Sequence, residues 1–267
     1  MPLTKLKTPS SDSSRLDNAD ISVVIPIFNP GDYFVDHIIS IAALLEPLRQ
    51  KIELILVNDG SSEPIFDKIP DPILGKLNLT EHKKNLGKGA ALKTGFRLAS
   101  GNWIGFIDAD GDIPARFLIQ IIDAVSLNVP NNSADIVLAS KTHSESKVHS
   151  SLLRKISSSG FNYLVKLLFS LPISDTQTGL KLFSRKVIDS VLEQSVENGF
   201  LIDLELLSLA QIGGFTKIKE VPVTIVKRHN STLSMSTVTT MLTGIFKLKL
   251  RLRKLANTTV TKLNQVD

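Results

Sequence analysis

The sequence predicts an α/β fold in which a mixed, mostly parallel sheet is flanked by helices. Short apolar runs typical of buried strands alternate with segments of helical apolar spacing from residue 21 to about residue 125. Such alternation indicates βαβ units, whose successive strands run parallel. Three of the strands end in polar, acidic or glycine-rich loops. In a parallel sheet these loops meet at one edge, which is where ligands bind.

Each element follows from its local pattern. The strands are β-branched or aromatic apolar runs closed by Pro, Gly, Asn or Asp, and a proline opens the last helix. In chain order we predict strand Ile21–Ile27, helix Tyr33–Leu48, strand Ile52–Val57, a weaker strand near Lys76–Glu81, helix Ala90–Ser100, strand Trp103–Ile107 and a helix from Pro114 to about Val125.

Composition narrows the functional classes. The chain has 267 residues and no cysteine, which excludes disulfides, zinc–thiolate sites and thiol nucleophiles and fits a reducing compartment. Residues 1–20 are polar without an apolar signal core, and no run of about 18 apolar residues occurs. We therefore expect a cytoplasmic protein, either soluble or peripheral on the cytoplasmic membrane face. An aromatic content of 6% and the lack of RNP-like or helix-turn-helix signatures argue against nucleic-acid binding.

The chain divides into a disordered tail (1–19), a main domain (20–234), a basic amphipathic helix (235–258) and a second tail (259–267). Six apolar residues in the helix recur at 3-4-3-4-3 spacing, flanked by lysines and arginines: Val238, Met241, Ile245, Leu248, Leu252 and Leu255. A stripe of this kind indicates contact with a membrane surface, packing on the body of the protein or the seam of a homodimer. These three alternatives stay open.

Three alternating carboxylates follow the strand Trp103–Ile107, namely Asp108, Asp110 and Asp112. Carboxylate oxygens are suited to Mg²⁺ or Mn²⁺, and Mg²⁺ takes one or two of them together with substrate phosphates. An EF-hand is excluded because isoleucines stand where that motif needs Gly and Glu. The segment therefore predicts a metal that holds a diphosphate, with an ordinary polar turn as the alternative.

Lys88 is a candidate phosphate ligand within Gly87-Lys88-Gly89, and the N-terminus of the following helix would add its dipole. Neither G-x-G-x-x-G after a strand nor G-x-x-x-x-G-K-[ST] is present. The alternative is a solvated lysine in a glycine-containing loop.

Ordered motifs over residues 20–235 carry a resemblance to a known family. The segments Val24–Asn29, Val57–Ser62, Asn85–Ala90 and Phe106–Asp110 resemble the inverting family 2 glycosyltransferases of GT-A fold. Later segments are similar to the dolichyl-phosphate mannose or glucose synthase branch of that family: Asp175–Phe183, Phe200–Leu207 and Glu220–Val223. The resemblance implies that 20–234 is a GT-A domain.

The resemblance also implies roles for particular residues. The nucleotide-sugar would contact Pro26, Phe28, Asn29, Asp59, Ser61, Lys88, Asp108 and Arg228. The metal would be held by Asp108 and Asp110, with Asp112 as a further ligand, and Asp110 would be catalytic. The pairs Asn29-Pro30 and Asn58-Asp59 replace acidic residues usual in the family, which leaves GDP and UDP both open.

The acceptor side rests on Arg154, Ser158 and Asn162, which are spaced to share one helix face. The resemblance assigns Arg154, Ser158 and Lys141 to an acceptor phosphate, with Arg154 counted as catalytic, and a guanidinium with hydroxyl donors suits a phosphate monoester. The alternative is a solvated basic face.

The acceptor also decides whether a base is needed. A phosphate monoester is already an anion at neutral pH, whereas a hydroxyl acceptor would need a general base, for which Asp175, Asp203 and Glu205 are candidates. Asp175 is the favoured one, because Asp203 and Glu205 lie on an apolar helix where a structural pair or cap is equally expected.

Three hypotheses follow. The first is a metal-dependent inverting transfer of a hexose from a GDP- or UDP-sugar to a polyprenyl phosphate. The second keeps the fold and donor but uses a soluble or glycan hydroxyl acceptor with Asp175 as base. The third is a non-catalytic nucleotide-sugar-binding protein at the membrane, which the pair Asp108 and Asp110 disfavours.

Overall fold

The computed structural model describes residues 20–48, 51–126, 134–148, 164–173, 175–226 and 235–263, and in the last segment the side chains of 242–257. The strands are β1 (Ile21–Ile27), β2 (Ile52–Asn58), β3 (Asn78–Glu81), β4 (Trp103–Ile107), β5 (Ile136–Ser140), β6 (Lys147–Val148), β7 (Leu180–Ser184), β8 (Ile218–Pro222) and β9 (Thr224–Ile225). The helices are α1 (Phe34–Leu45), α2 (Asp71–Leu74), α3 (Lys88–Leu98), α4 (Arg116–Ser126), α5 (164–169), α6 (Arg185–Val191), α7 (Ile202–Ile212) and α8 (Met235–Leu263).

Seven strands form one sheet in the order β3-β2-β1-β4-β7-β5-β8, and β6 pairs with β9 in a small separate ladder. Within the large sheet β7 runs antiparallel to both of its neighbours, and the other pairings are parallel. The predicted mixed, mostly parallel sheet flanked by helices is therefore confirmed.

Helices cover both faces of this sheet, which explains why its central strands are continuously apolar rather than alternating. On β1, Val23 and Ile25 point into the core shared with α1 and α4, whereas Val24 points into the opposite core. That second core contains residues of α3, α6, α7 and α8. Burial on both sides leaves the strand ends, rather than the faces, as the surface where a ligand can bind.

The predicted elements up to residue 125 are all present, with small shifts at their ends. Helix α3 begins at Lys88, two residues earlier than predicted, directly after Gly87 with its φ of 99°. Helix α1 ends at Leu45, where a 3-10 turn over Glu46–Leu48 replaces the last predicted turn. The predicted helix face of Arg154, Ser158 and Asn162 lies outside the described residues, as do Arg228 and the tail over 1–19.

Helix α8 is longer than the predicted 235–258 and packs on the body of the protein. Ile245, Leu248 and Leu252 of the predicted stripe are buried in the core beside α7, and Gly244 brings the helix close to Leu201. Packing on the body is thus the alternative that the structure shows for this stripe. Over the described residues, no helix combines the length and apolar character needed to span a bilayer.

Candidate active site

The loops after β1 and β2 are joined at the predicted edge of the sheet. The side-chain oxygen of Asn29 accepts hydrogen bonds from the backbone N–H (2.9 Å) and hydroxyl (3.1 Å) of Ser62, and the Asn29 N–H donates to the Ser61 hydroxyl at 2.9 Å. Asn29 adopts a φ of 41°, a left-handed conformation that asparagine tolerates better than most residues. Phe28 beside it is about half exposed, and Pro26 lies one pleat back on β1. The structure therefore brings these four predicted nucleotide-sugar contacts together.

Asp59 is buried and organises the next loop. Its Oδ1 accepts from the Leu86 N–H at 3.0 Å and lies 2.6 Å from Nδ1 of His82, and its Oδ2 accepts from the Gly87 N–H at 2.8 Å. Both oxygens therefore hold the segment that leads to Lys88. This role was not expected from the sequence, and the predicted contact of Asp59 with a nucleotide stays a prediction.

Lys88 lies at the centre of the site. Its ammonium is 2.8 Å from Oδ1 of Asp108 and 3.3 Å from Oδ2 of Asp203, and it stands 5.0 Å from the centre of the Phe106 ring. Burial alone would lower the pKa of Lys88, but Asp108 and Asp203 outweigh it and raise this pKa above its ordinary value. Lys88 is therefore a fixed positive charge at the strand ends, not a solvated loop lysine.

The first amides of α3 do not face the site. The N–H groups of Gly89 and Ala90 donate to the carbonyl of Asn198, at 2.8 and 3.4 Å. A side chain at Gly89 would collide with Glu197, so this close packing requires a glycine. The side chain of Lys88, rather than the helix N-terminus, is thus the cationic group that this segment presents at the strand ends.

A second lysine, Lys181, pairs with the same aspartate as Lys88. Lys181 of β7 is fully buried, donates to Oδ1 of Asp203 (2.6 Å) and to the carbonyl of Thr178 (2.5 Å), and lies 5.3 Å from the centre of the Phe106 ring. Burial lowers the pKa of Lys181, and Asp203 only partly offsets this; the pKa of Asp203 is lowered because the two lysines outweigh its own burial. Asp203 is thus a structural partner of two cations.

A role for Lys181 was not predicted from the sequence. The available signal was a lysine inside the apolar run Leu180-Lys181-Leu182-Phe183, since a lysine is almost never fully buried unless it is paired.

Asp108 is held in place by Gly179. The Asp108 N–H donates to the Gly179 carbonyl at 2.8 Å, and a Cβ added at Gly179 would lie 1.9 Å from Oδ2 of Asp108. Any side chain at this position would displace the carboxylate. The glycine of the predicted motif is therefore explained by the space that Asp108 occupies.

Asp110 and Asp112 form the outer part of the acidic loop. The Asp112 N–H donates to Oδ1 of Asp110 at 3.0 Å. Desolvation by the surrounding protein and repulsion from Asp108 and Asp112 raise the pKa of Asp110 to about 6, although the residue is exposed at the mouth of the site. A nearby cation would stabilise the charged form of the Asp110 carboxylate.

The acidic loop does not form a ready-made metal cage. Over the described parts of the chain, no group of three or more His, Asp or Glu side chains stands close enough together to hold a metal by itself, and Asp108 is engaged by Lys88. The donors fit Mg²⁺ or Mn²⁺ in the manner in which these ions take one or two carboxylates and complete their coordination with substrate phosphates. A ligand role for Asp112 stays a prediction.

Asp175 is buried and links the end of β5 to the turn before β7. It accepts hydrogen bonds from the N–H groups of Lys141 (2.9 Å) and Gln177 (3.0 Å) and from the hydroxyl of Thr178, and the Lys141 ammonium lies 3.9 Å away. The structure therefore brings Lys141 and Asp175 together. Arg154 and Ser158, their predicted companions, lie outside the described residues.

Glu205 is fully buried and ties α8 to the loop over 195–198. It accepts from the Ser195 hydroxyl, from the N–H groups of Val196 and Glu197, and from the guanidinium of Arg251 on α8. Like Asp203, it is a structural ion-pair residue, which is the alternative that its position on an apolar helix suggested. The loop that it fixes is the one that packs on the N-terminus of α3.

Comparison with known proteins agrees with this architecture. Residues 22–192, more than half of the chain, match the model of glycosyl transferase family 2, and the chain therefore belongs to that family. Within it, the chain is 31% identical over 222 residues to the dolichyl-phosphate beta-glucosyltransferase of Saccharomyces cerevisiae and 27% identical over 212 residues to that of Dictyostelium discoideum. These alignments cover 76% and 75% of this chain but 66% and 64% of the relatives, so it spans about two thirds of their length. The resemblance to the dolichyl-phosphate sugar synthase branch is confirmed.

Solved structures share the fold. Glucosyl-3-phosphoglycerate synthase from Mycobacterium tuberculosis in complex with UDP matches with a TM-score of 0.63 at 16% identity, covering 88% of this chain and 80% of that one. The same enzyme in complex with Mn²⁺, UDP and glucosyl-3-phosphoglycerate matches with a TM-score of 0.63 at 17% identity, with the same coverage. These likenesses confirm the predicted GT-A fold.

Proposed function

We propose that the protein transfers a hexose from a nucleotide-diphosphate sugar to the phosphate of a dolichyl or other polyprenyl phosphate, with inversion and with a divalent cation. The observation that carries the proposal is the permanently charged Lys88 beside Asp108, with Asp110 at the mouth of the same strand edge. A fixed cation beside two carboxylates suits a diphosphate that leaves with negative charge. The names of the relatives support glucose as the hexose, and the neighbours solved with UDP favour UDP as the first donor base to test.

Mg²⁺ or Mn²⁺ would be held by Asp110 together with Asp108, and would neutralise charge on the donor diphosphate. The raised pKa of Asp110 supports this assignment, because a bound cation would offset the burial of this carboxylate and its repulsion from Asp108 and Asp112. Lys88 would supply the neighbouring positive charge, and Asn29, Ser61 and Phe28 at the adjoining strand ends would contact the nucleoside.

The reaction exchanges one bond at the anomeric carbon for another. An oxygen of the acceptor phosphate forms the new bond from the face opposite the diphosphate, the bond from that carbon to the diphosphate oxygen breaks, and the nucleoside diphosphate leaves with the electron pair. The acceptor is already an anion at neutral pH, so no residue has to remove a proton. Lys141, which lies beside Asp175, is a candidate ligand of the acceptor phosphate. Arg154 and Ser158 remain candidate ligands on the basis of the sequence.

The second candidate function is transfer to a soluble or glycan hydroxyl with Asp175 as general base. The placement of Asp175 counts against it, because this carboxylate is almost fully buried and accepts from three donors, two in its own turn and one at the end of β5. A general base must reach the proton that it removes. Non-catalytic binding of a nucleotide-sugar is the third candidate, and the intact set of Lys88, Asp108 and Asp110 argues against it.

A donor and acceptor screen tests the proposal. The purified protein would be incubated with Mg²⁺ or Mn²⁺ and with UDP-glucose, UDP-galactose or GDP-mannose, with and without a short-chain polyprenyl phosphate. We expect product only with the lipid phosphate, and a loss of about a hundredfold or more in Asp110→Asn. Asp123→Asn, exposed on α4, is the matched control and should retain full activity. Transfer to an added alcohol would support the second candidate, and nucleotide-sugar binding without turnover the third.

A further inference from the structure

The outward face of α8 carries an apolar stripe that the described part of the chain leaves exposed. Leu242, Phe246 and Leu250 recur at every fourth residue and are 37%, 52% and 61% exposed. The buried residues of the same helix point the other way, into the core beside α7. Packing on the body needs only one apolar stripe, so among the described residues this second one has no internal packing partner.

Basic side chains lie along one side of the outward stripe and beyond its end. Successive residues of a helix turn by about 100°, which places Lys247 and Lys254 along one side of the stripe and Arg253 in line with it, one turn beyond Leu250. All three side chains are exposed. The sequence from 242 to 257 contains five lysines and arginines and no acidic residue. The outward face of α8 is therefore apolar along its middle and positively charged along one side and beyond Leu250.

We propose that this outward face docks α8 on the surface of a lipid bilayer that contains anionic headgroups. Phenylalanine and leucine enter the boundary between headgroups and acyl chains, while lysine and arginine contact the phosphates. The inference rests on the proposed function in one respect: a polyprenyl phosphate resides in the membrane on which the enzyme would dock. The face that would contact the membrane is the outward face of α8, opposite to the apolar stripe predicted from the sequence.

Charge favours a bilayer over other occupants. A second copy docked on the same face would bring two sets of basic residues together without acidic partners on either helix, which disfavours association. A nucleic acid would satisfy the charge but would leave the phenylalanine and leucine side chains in water. An anionic bilayer would contact both the basic and the apolar side chains of this face.

The helix is attached rigidly enough to orient the domain. On its inward side Arg251 donates to the buried Glu205 and, at 3.1 Å, to the carbonyl of Gln194. Glu205 in turn fixes the loop over 195–198, which contacts the N-terminus of α3 next to Lys88. A membrane bound to the outward face would therefore be held in a fixed orientation relative to the active site.

Vesicle sedimentation of the full chain tests the inference. Large unilamellar vesicles of phosphatidylcholine with one quarter phosphatidylglycerol would be compared with vesicles of phosphatidylcholine alone. We expect binding to the anionic vesicles and a loss of at least tenfold in the double variant Phe246→Ser/Leu250→Ser. The double variant Lys247→Gln/Lys254→Gln should lose about tenfold or more on anionic vesicles only. Leu98→Ser, which removes an equally exposed leucine of α3, is the control and should bind as the unaltered protein does.

Each outcome decides the inference. Sedimentation that is absent for the unaltered protein, or equal for it and the Phe246→Ser/Leu250→Ser variant, would overturn the docking. Dimerisation in light scattering that this variant abolishes would assign the stripe to a second copy, and binding of a duplex oligonucleotide in preference to vesicles would assign it to nucleic acid. Thermal melts verify that the variants fold. Vesicle binding without sugar transfer would leave the docking intact and overturn only the proposed reaction. Transfer to a water-soluble short-chain acceptor without vesicle binding would overturn the docking and leave the proposed reaction intact.

Discussion

Replacing Gly179 by alanine should displace the carboxylate of Asp108 while leaving the fold in place. The added Cβ would lie 1.9 Å from Oδ2 of Asp108, whereas ordinary contacts begin near 3.4 Å, so the carboxylate must move by about 1.5 Å. That movement also disturbs the 2.8 Å contact between Asp108 and Lys88. A misplacement of about 1 Å can reduce the rate of a catalysed reaction by about a hundredfold, and we expect a loss of about ten- to a hundredfold in Mn²⁺-dependent affinity for UDP.

Isothermal titration of UDP in the presence and absence of Mn²⁺ measures this effect, and circular dichroism verifies the fold. The control is Gly75→Ala at the end of α2, where the added Cβ would meet its nearest neighbour at an ordinary 3.6 Å. We expect the control to bind as the unaltered protein does. If Gly179→Ala keeps the same metal-dependent affinity, then Asp108 does not act where the structure places it.

Three further results are expected. Lys181→Met should lower the free energy of unfolding in urea by about 3 kcal/mol, because it removes one partner of a buried ion pair with Asp203; an unchanged midpoint would contradict the pairing. Mn²⁺ affinity should fall about tenfold per pH unit below pH 6, since the pKa of Asp110 is about 6 and its carboxylate must lose a proton to bind metal; titrations at pH 5, 6 and 7 that agree would exclude this. Arg251→Met should raise KM for the donor more than it lowers kcat, because Glu205 loses its cation and the loop beside α3 loosens; partial recovery in Arg251→Lys is expected, and unaltered kinetics would refute the coupling.

Local patterns predicted the first half of the sheet well. The bounds of β1 and β4 agree with the prediction because each is a buried apolar run closed by turn-forming residues. The later strands are harder, since β7 must insert antiparallel between β4 and β5. That arrangement depends on a close approach at Gly105, where a Cβ would collide with the backbone of Lys181. Contacts between residues so far apart in sequence leave no periodic signal.

The meeting of the site residues at one sheet edge can be predicted from the sequence, whereas their contacts there cannot. The edge that carries Asn29, Lys88, Asp108 and Asp110 follows from strand ends and loop composition. The contacts of Asp59 and Asp175 cannot be predicted in this way. An aspartate that accepts from backbone amides and one that faces a substrate look the same in a sequence. Pairing partners separated by 22 or more residues, such as Lys181 with Asp203, are visible only in the folded chain.

The configuration of the product tests the central claim most directly. The protein would be incubated with UDP-glucose, Mn²⁺ and a short-chain polyprenyl phosphate, and the product analysed by mass spectrometry and proton NMR. The account predicts a glucosyl phosphodiester of the lipid with the β configuration, formed together with one equivalent of UDP. An α-linked product, glucose attached to a hydroxyl acceptor, or release of UDP without lipid glucosylation would contradict it.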